Sequence, residues 1–231
     1  VLLADPPRPW YDQRDALRRL REPVANGRSQ DEQDAVLAVL ERTAVTDPSP
    51  VLRMEAIEAL GRFGDVRAAG CLMAAYQHAH GRKATDPAPP RRPAAGVVAA
   101  TGTSAGRSPT AATADLFPIT GPTGFPDDWV SSIRCRALVA LGRTNRPEAV
   151  QFLGAVAGAS GADTAPEGSD DRDVKLAAIR GLGQCRQPES VAVLARVLET
   201  EAGKQDTAVV GRAHHGLVRL TGHKLPPDPQ Q

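Results

Sequence analysis

The stretch Val174-Lys175-Leu176-Ala177-Ala178-Ile179-Arg180-Gly181-Leu182-Gly183 decides the fold, because the chain writes it three times. Moved back 41 positions, from 174 to 133, it falls on Ile133-Arg134-Cys135-Arg136-Ala137-Leu138-Val139-Ala140-Leu141-Gly142. Moved back a further 81, from 133 to 52, it falls on Leu52-Arg53-Met54-Glu55-Ala56-Ile57-Glu58-Ala59-Leu60-Gly61. The register holds throughout: apolar, basic, apolar, free, Ala, apolar, two free positions, Leu, Gly. A period near 40 built of two helices and a turn describes a unit that cannot cover its apolar side alone and must stack on its neighbours. The expected fold is all-α: a right-handed α-solenoid of about four helical hairpins, interrupted by one long disordered insertion.

Working outward, the third copy pairs a helix at 171–183 with one at 188–200. The second, preceded by Asp127-Asp128, pairs 129–142 with 147–157. The first opens on Asp47-Pro48-Ser49-Pro50, where Asp47 or Ser49 can accept from free backbone N–H groups and proline is tolerated in the first turn. Its partner helix is expected at about 66–78, capped by Asp65. Residues 1–46 read as an N-terminal capping hairpin. One helix there runs from Trp10 to Arg21, with Trp10, Leu17 and Leu20 apolar. The other covers about 31–44, with Ala35, Val36, Val39 and Leu40 on one stripe. Residues 204–231 read as a half-repeat that caps the other end: Asp206-Thr207 start its helix, Thr221-Gly222 end it, and a proline-rich tail follows.

The pattern lapses between the first and second copies. The Pro, Ala, Gly, Thr and Ser of 81–126 supply too little apolar surface to offset ordering, which predicts a largely disordered insertion. Within it, Leu116, Phe117, Ile119 and Phe125 make 116–125 the part expected to pack on the solenoid. A shorter polar loop occupies 158–170. The units are therefore 1–46, 47–80, the insertion 81–126, 127–157, the loop 158–170, 171–203 and 204–231.

Composition narrows the functional classes. Apolar residues make up 41% of 231 and aromatics only 3%, so Leu, Val and Ala must fill the core. A formal net charge of +1 gives no global field toward nucleic acid or an anionic membrane. The longest apolar runs fall far short of the roughly 18 to 20 residues that span a bilayer. Cys71, Cys135 and Cys185 fall at apolar repeat positions and read as core thiols, without the paired spacing of a zinc site. The chain opens on Val1-Leu2-Leu3-Ala4. Those residues read either as the tail of a signal-peptide apolar region or as an arbitrary start, which leaves exported and cytoplasmic locations on equal footing.

The repeat resembles the bacterial HEAT-like repeat family, of the type also found in phycobilisome lyases. Asp47-Pro48-Ser49-Pro50-Val51-Leu52-Arg53 with Ala56-Ile57-Glu58-Ala59-Leu60-Gly61 fits its unit almost position for position. So do the two later copies, each followed by Pro-Glu (Pro147-Glu148 and Pro188-Glu189). The resemblance covers 47–78 and 128–220 and, weakly, 10–44. It implies a concave face built from the second helix of each unit that docks a partner. The positions carried over are Ala69, Met73, Tyr76 and Gln77, then Gln151, Gly154 and Ala155, then Ala192, Arg196 and Glu199. Their small, mildly polar character suits a protein or peptide partner. Arg53, Arg134 and Lys175 read as a structural ladder between successive repeats, with Asp65 and Glu148 as candidate partners.

Sharper chemistry finds less support in the sequence. His78, His80, His214, His215 and His223 lack the His-Glu pairs of HEAT-repeat hydroxylases, and adjacent His214 and His215 diverge by about 100° on a helix. HEAT-like DNA glycosylases read damaged bases with a basic groove and tryptophans, whereas Trp10 and Trp129 both sit at helix starts here. No phosphate loop, serine elbow or paired-cysteine motif is present. The expected function is a non-catalytic protein-interaction scaffold with no cofactor, metal or nucleic acid. The family alternatives are a phycobilisome-lyase-like enzyme or chaperone acting on a partner protein, and a nucleic-acid binder.

Overall fold

A computed structural model describes residues 8–80, 124–159, 166–169, 171–201 and 206–223. Among these residues the structure is all helical: α1 (Trp10–Arg19), α2 (Gln30–Thr46), α3 (Pro50–Leu60), α4 (Ala68–Gln77), α5 (Asp127–Arg143), α6 (Pro147–Val156), α7 (Arg172–Leu182), α8 (Pro188–Glu201) and α9 (Thr207–Thr221). A single 3-10 turn, Val24–Asn26, lies between α1 and α2.

Local chemistry starts the helices where the sequence reading places them. Ser29 accepts from the Glu32 N–H at 3.2 Å and Ser49 from the Leu52 N–H at 3.4 Å. Asp171 and Asp206 do the same for α7 and α9. Pro50, Pro147 and Pro188 each occupy the first helical position, where no intrahelical N–H bond is lost. At the far end of α1, Arg62 donates to the Leu17 carbonyl at 3.1 Å and so satisfies an open helix end from the next hairpin.

The helices form two layers. The first helices of the hairpins, α1, α3, α5, α7 and α9, pack successively against one another, and so do the second helices, α2, α4, α6 and α8. Each second helix also packs on the first helix of the next hairpin, which locks the layers together. The repeat leucines Leu60, Leu141 and Leu182 are all buried, each contributing on the order of 1.5–3 kcal/mol by leaving water. The repeat glycine allows the first helices to meet backbone to backbone. A Cβ on Gly142 would collide with the Gly181 carbonyl, and one on Gly183 would sit 3.0 Å from the Gly216 Cα.

A row of bonds runs along the hairpin turns. Glu22 accepts from the Gly64 N–H at 2.8 Å, and Arg146 donates to the Gly64 carbonyl at 3.0 Å. Asn145, held at φ 56°, accepts from the Arg186 N–H at 2.7 Å, while Gln187 donates to the Asn145 carbonyl at 2.8 Å. Each turn is thus finished by its neighbour.

Three local expectations need correction. Trp10 is 49% exposed, and α1 buries Leu17 alone. The buried stripe of α2 is Gln33, Leu37, Leu40 and Ala44, one step out of phase with the expected Ala35, Val36, Val39 and Leu40, because α2 turns this side to α3 and α4. Helix α4 begins at Ala68 without a side-chain cap; Asp65 instead accepts from the Arg67 N–H in the preceding turn. At the end of the expected insertion Phe125 is buried and Pro126 directly precedes α5; of the stretch 116–125 expected to pack, 116–123 lie outside the described residues. Residues 81–123 lie outside the described residues, as do 1–7, most of the polar loop (160–165 and 170), 202–205 and the tail from 224.

Candidate functional site

The three basic residues of the repeat register make contacts within the stack, with partners different from those expected. Arg53 is buried. It donates to the Asp47 carbonyl and to the His78 carbonyl, both at 2.8 Å, and its guanidinium lies 4.9 Å from the centre of the Phe125 ring. Burial pushes its pKa down to about 10. Lys175 donates to Glu201 at 2.6 Å. In both cases the side chain crosses from the first helix to the end of the second helix of its own hairpin. The rung therefore closes a unit rather than joining two, and Asp65 and Glu148 are not its partners.

Arg134 does both. It is buried, and it reaches Glu167 in the loop after its own hairpin at 3.4 Å and His80 of the preceding unit at 3.3 Å. Its guanidinium lies 5.3 Å from the centre of the Tyr76 ring, and Tyr76 donates to the Glu167 carbonyl at 3.0 Å. His80 and Glu167 meet at 2.9 Å. That hydrogen bond, and then the Arg134 charge, hold the Glu167 carboxyl below its ordinary range. Gly168 sits at φ 83°, where any Cβ would strike the Arg134 guanidinium. This cluster fastens residues 166–169, near the end of the polar loop, to two hairpins at once.

Of the ten positions carried over as a partner face, three are closed to a partner. Ala69 and Tyr76 are each 1% exposed, Tyr76 with its ring edge-on to Phe152 at 5.3 Å. Burial pushes the Tyr76 hydroxyl up to about 12. Gly154 is buried where α6 meets α8, with Val193 only 3.1 Å from the place of a Cβ. Met73 and Ala155 are half-buried. Gln77, Gln151, Ala192, Arg196 and Glu199 are exposed and lie on the outward side of the second-helix layer.

The remaining candidates serve packing or stand in solvent. Cys71 and Cys185 are buried and Cys135 is half-buried; burial pushes the thiols of Cys71 and Cys135 up to about 11, which keeps them protonated near neutrality. His78 lends its carbonyl to Arg53, and His215 and His223 are exposed. Among the described residues no group of three or more His, Cys, Asp or Glu is placed to hold a metal ion. Trp129 packs against the core at the start of α5, whereas exposed Trp10 lies under Arg14 at 5.3 Å. No helix among the described residues is long and apolar enough to cross a membrane.

The opposite, first-helix layer carries a feature that the repeat register alone does not mark. A groove of about 530 Å³ runs across α3, α5, α7 and α9, with Arg136, Arg143, Arg180 and Arg212 around it. Its signal in the sequence is a second basic residue after the repeat's own Arg or Lys, two positions on at Arg136 and five at Arg180.

Comparison with protein-family models matches residues 7–88 to HEAT repeats and residues 174–200 to the PBS lyase HEAT-like repeat. The comparison with curated proteins gave no match, and neither did the comparison with solved structures.

Proposed function

For this chain, a HEAT-like repeat protein, we propose a non-catalytic role as a scaffold that docks a protein or peptide partner on the second-helix side of the stack. The supporting observation is the run of exposed, uncharged or weakly charged positions Gln77, Gln151 and Ala192, flanked by Arg196 and Glu199, on three successive second helices. A rigid array of parallel helices offers such residues at a fixed spacing without having to order them on binding, which lowers the entropic cost of association. The fold by itself does not choose a chemistry, since one architecture carries many activities.

A photoreactive amino acid placed at Gln151 or Arg196 in the full chain tests the reading in native extract, with Ser132, exposed on the first-helix side, as the control position. Discrete adducts from Gln151 and Arg196, absent from Ser132, are expected. Equal adducts from all three positions, or none from Gln151 and Arg196, would overturn the proposed face. Copurification of a tetrapyrrole, seen as a visible absorption band, would overturn the non-catalytic role in favour of a lyase.

A further inference from the structure

The near-neutral total hides a division of charge between the layers. The first helices α1, α3, α5, α7 and α9 carry twelve Arg or Lys against seven Asp or Glu, a balance of +5. The second helices α2, α4, α6 and α8 carry two against eight, a balance of −6. The positive excess gathers at the groove on the first-helix side, where four arginines from α5, α7 and α9 meet.

Those four are not equivalent. Glu58 holds Arg143 at 2.9 Å and Arg136 at 3.7 Å, so at one end of the groove two guanidiniums share one carboxylate. Arg180 and Arg212 are exposed and have no carboxylate partner among the described residues. They extend the basic surface into an adjoining depression that also takes in His215 and Arg219. Between the arginines the floor is apolar: Val139 and Leu176 are half-buried and Ala177 is 8% exposed.

We propose that this groove binds an acidic peptide segment of another protein, with carboxylates on Arg180 and Arg212 and an aliphatic side chain on the Val139–Leu176 floor. A guanidinium fork matches a carboxylate in two parallel N–H···O bonds, and its weak hydration makes the exchange of water for carboxylate favourable. The apolar floor is what a polar-only ligand would leave unused. A nucleic-acid strand fits less well, because Glu58 and Asp173 in the lining oppose a phosphate backbone and no aromatic side chain lines the groove to stack a base. A second copy of the chain would have to bring its acidic second-helix layer to the groove, a head-to-tail contact in place of the two-fold one most common in dimers. This surface is separate from the second-helix face proposed above, and either can fail without the other.

The test is fluorescence anisotropy on the full chain with a short labelled peptide of Glu residues carrying two Leu, alongside its twin with Gln in place of every Glu. Saturable, salt-sensitive binding of the Glu peptide alone is expected. R180E/R212E should weaken it roughly a hundredfold, about tenfold for each reversed charge. Leu176→Asp should weaken it too, and R196E on the other face should leave it unchanged. Should circular dichroism show R180E/R212E to be misfolded, R180Q/R212Q carries the same test with a smaller loss. Equal binding of the two peptides, or undiminished binding by the folded arginine variants, overturns the proposal. So does tighter binding of a single-stranded oligonucleotide that displaces the peptide. Concentration-dependent self-association that R180E/R212E abolishes, with no binding of the peptide, would assign the groove to a second copy and overturn it as well.

Discussion

The backbone N–H of Phe125 donates to the carbonyl of His80 at 2.7 Å, tying together residues 45 positions apart, 80 and 125. Gly124, at φ 106°, leaves no room for a Cβ beside that same carbonyl. Phe125 then enters the core beneath the Arg53 guanidinium. The chain thus leaves the stack and rejoins it at one point, and α4 and α5 pack as if they were joined directly.

The stack should therefore hold without residues 81–123. Replacing them with about three glycines, enough to span a hairpin-like closure, should keep the helical signal per molecule and hold or raise the unfolding midpoint. Shortening the closed loop removes an entropic cost of up to ~2 kcal/mol. Urea unfolding followed by circular dichroism checks this, and a midpoint well below that of the full chain would contradict it.

The repeat glycines separate into two kinds. Gly142→Ala pushes a methyl group into the Gly181 backbone, in the tightest contact between α5 and α7, and should destabilise by about 1–3 kcal/mol or more. Gly211, inside α9 with nothing within 4 Å of a Cβ, should gain from the same change, by roughly 0.4–1 kcal/mol, through a less entropic unfolded chain. Thermal melts of the two variants should move in opposite directions from the parent.

Acid should loosen the joint between the first two hairpins. Arg67 hydrogen-bonds the Asp65 carboxylate through Nε and Nη2, its backbone N–H adds a third bond, and Gln33 donates at 3.2 Å. These bonds, that from the Arg67 side chain first, hold the Asp65 pKa well below the usual carboxylate range. A carboxylate depressed in the folded state stabilises above its unfolded pKa, near about 4, and this contribution is lost as pH falls through the folded value. Asp65→Asn should therefore unfold earlier than the parent at neutral pH, with the gap narrowing as pH falls below about 4. A pH-independent gap in urea midpoints would contradict the assignment.

The fold was legible because its signal is redundant: three registered copies, each with its proline and its glycine, agree on one hairpin. The faults lie where a single helix had to be phased without a second copy to check it. In α2, Leu37 and Ala44 are buried by the way the hairpin docks, a tertiary fact absent from the local pattern. Tyr76 and Gly154 failed as surface positions for a related reason. One end of α4 is covered by Arg134 and the 166–169 turn, and α6 and α8 approach closely at Gly154, both products of the spacing between neighbouring hairpins. The basic register told which residues were alike but not what they touch. The partners of Arg53 are main-chain carbonyls, which carry no mark in the sequence. The groove arginines were visible only as scattered charges until α5, α7 and α9 brought them together.

The bonds between successive turns give the array a fixed reading order. The first junction depends on a glutamate, the second on an arginine and the third on an asparagine in a left-handed conformation. Hairpins cut from this chain and relinked in another sequence would present mismatched chemistry at their seams, however well their helices agree. The protein is assembled from similar bricks whose mortar is individual to each course.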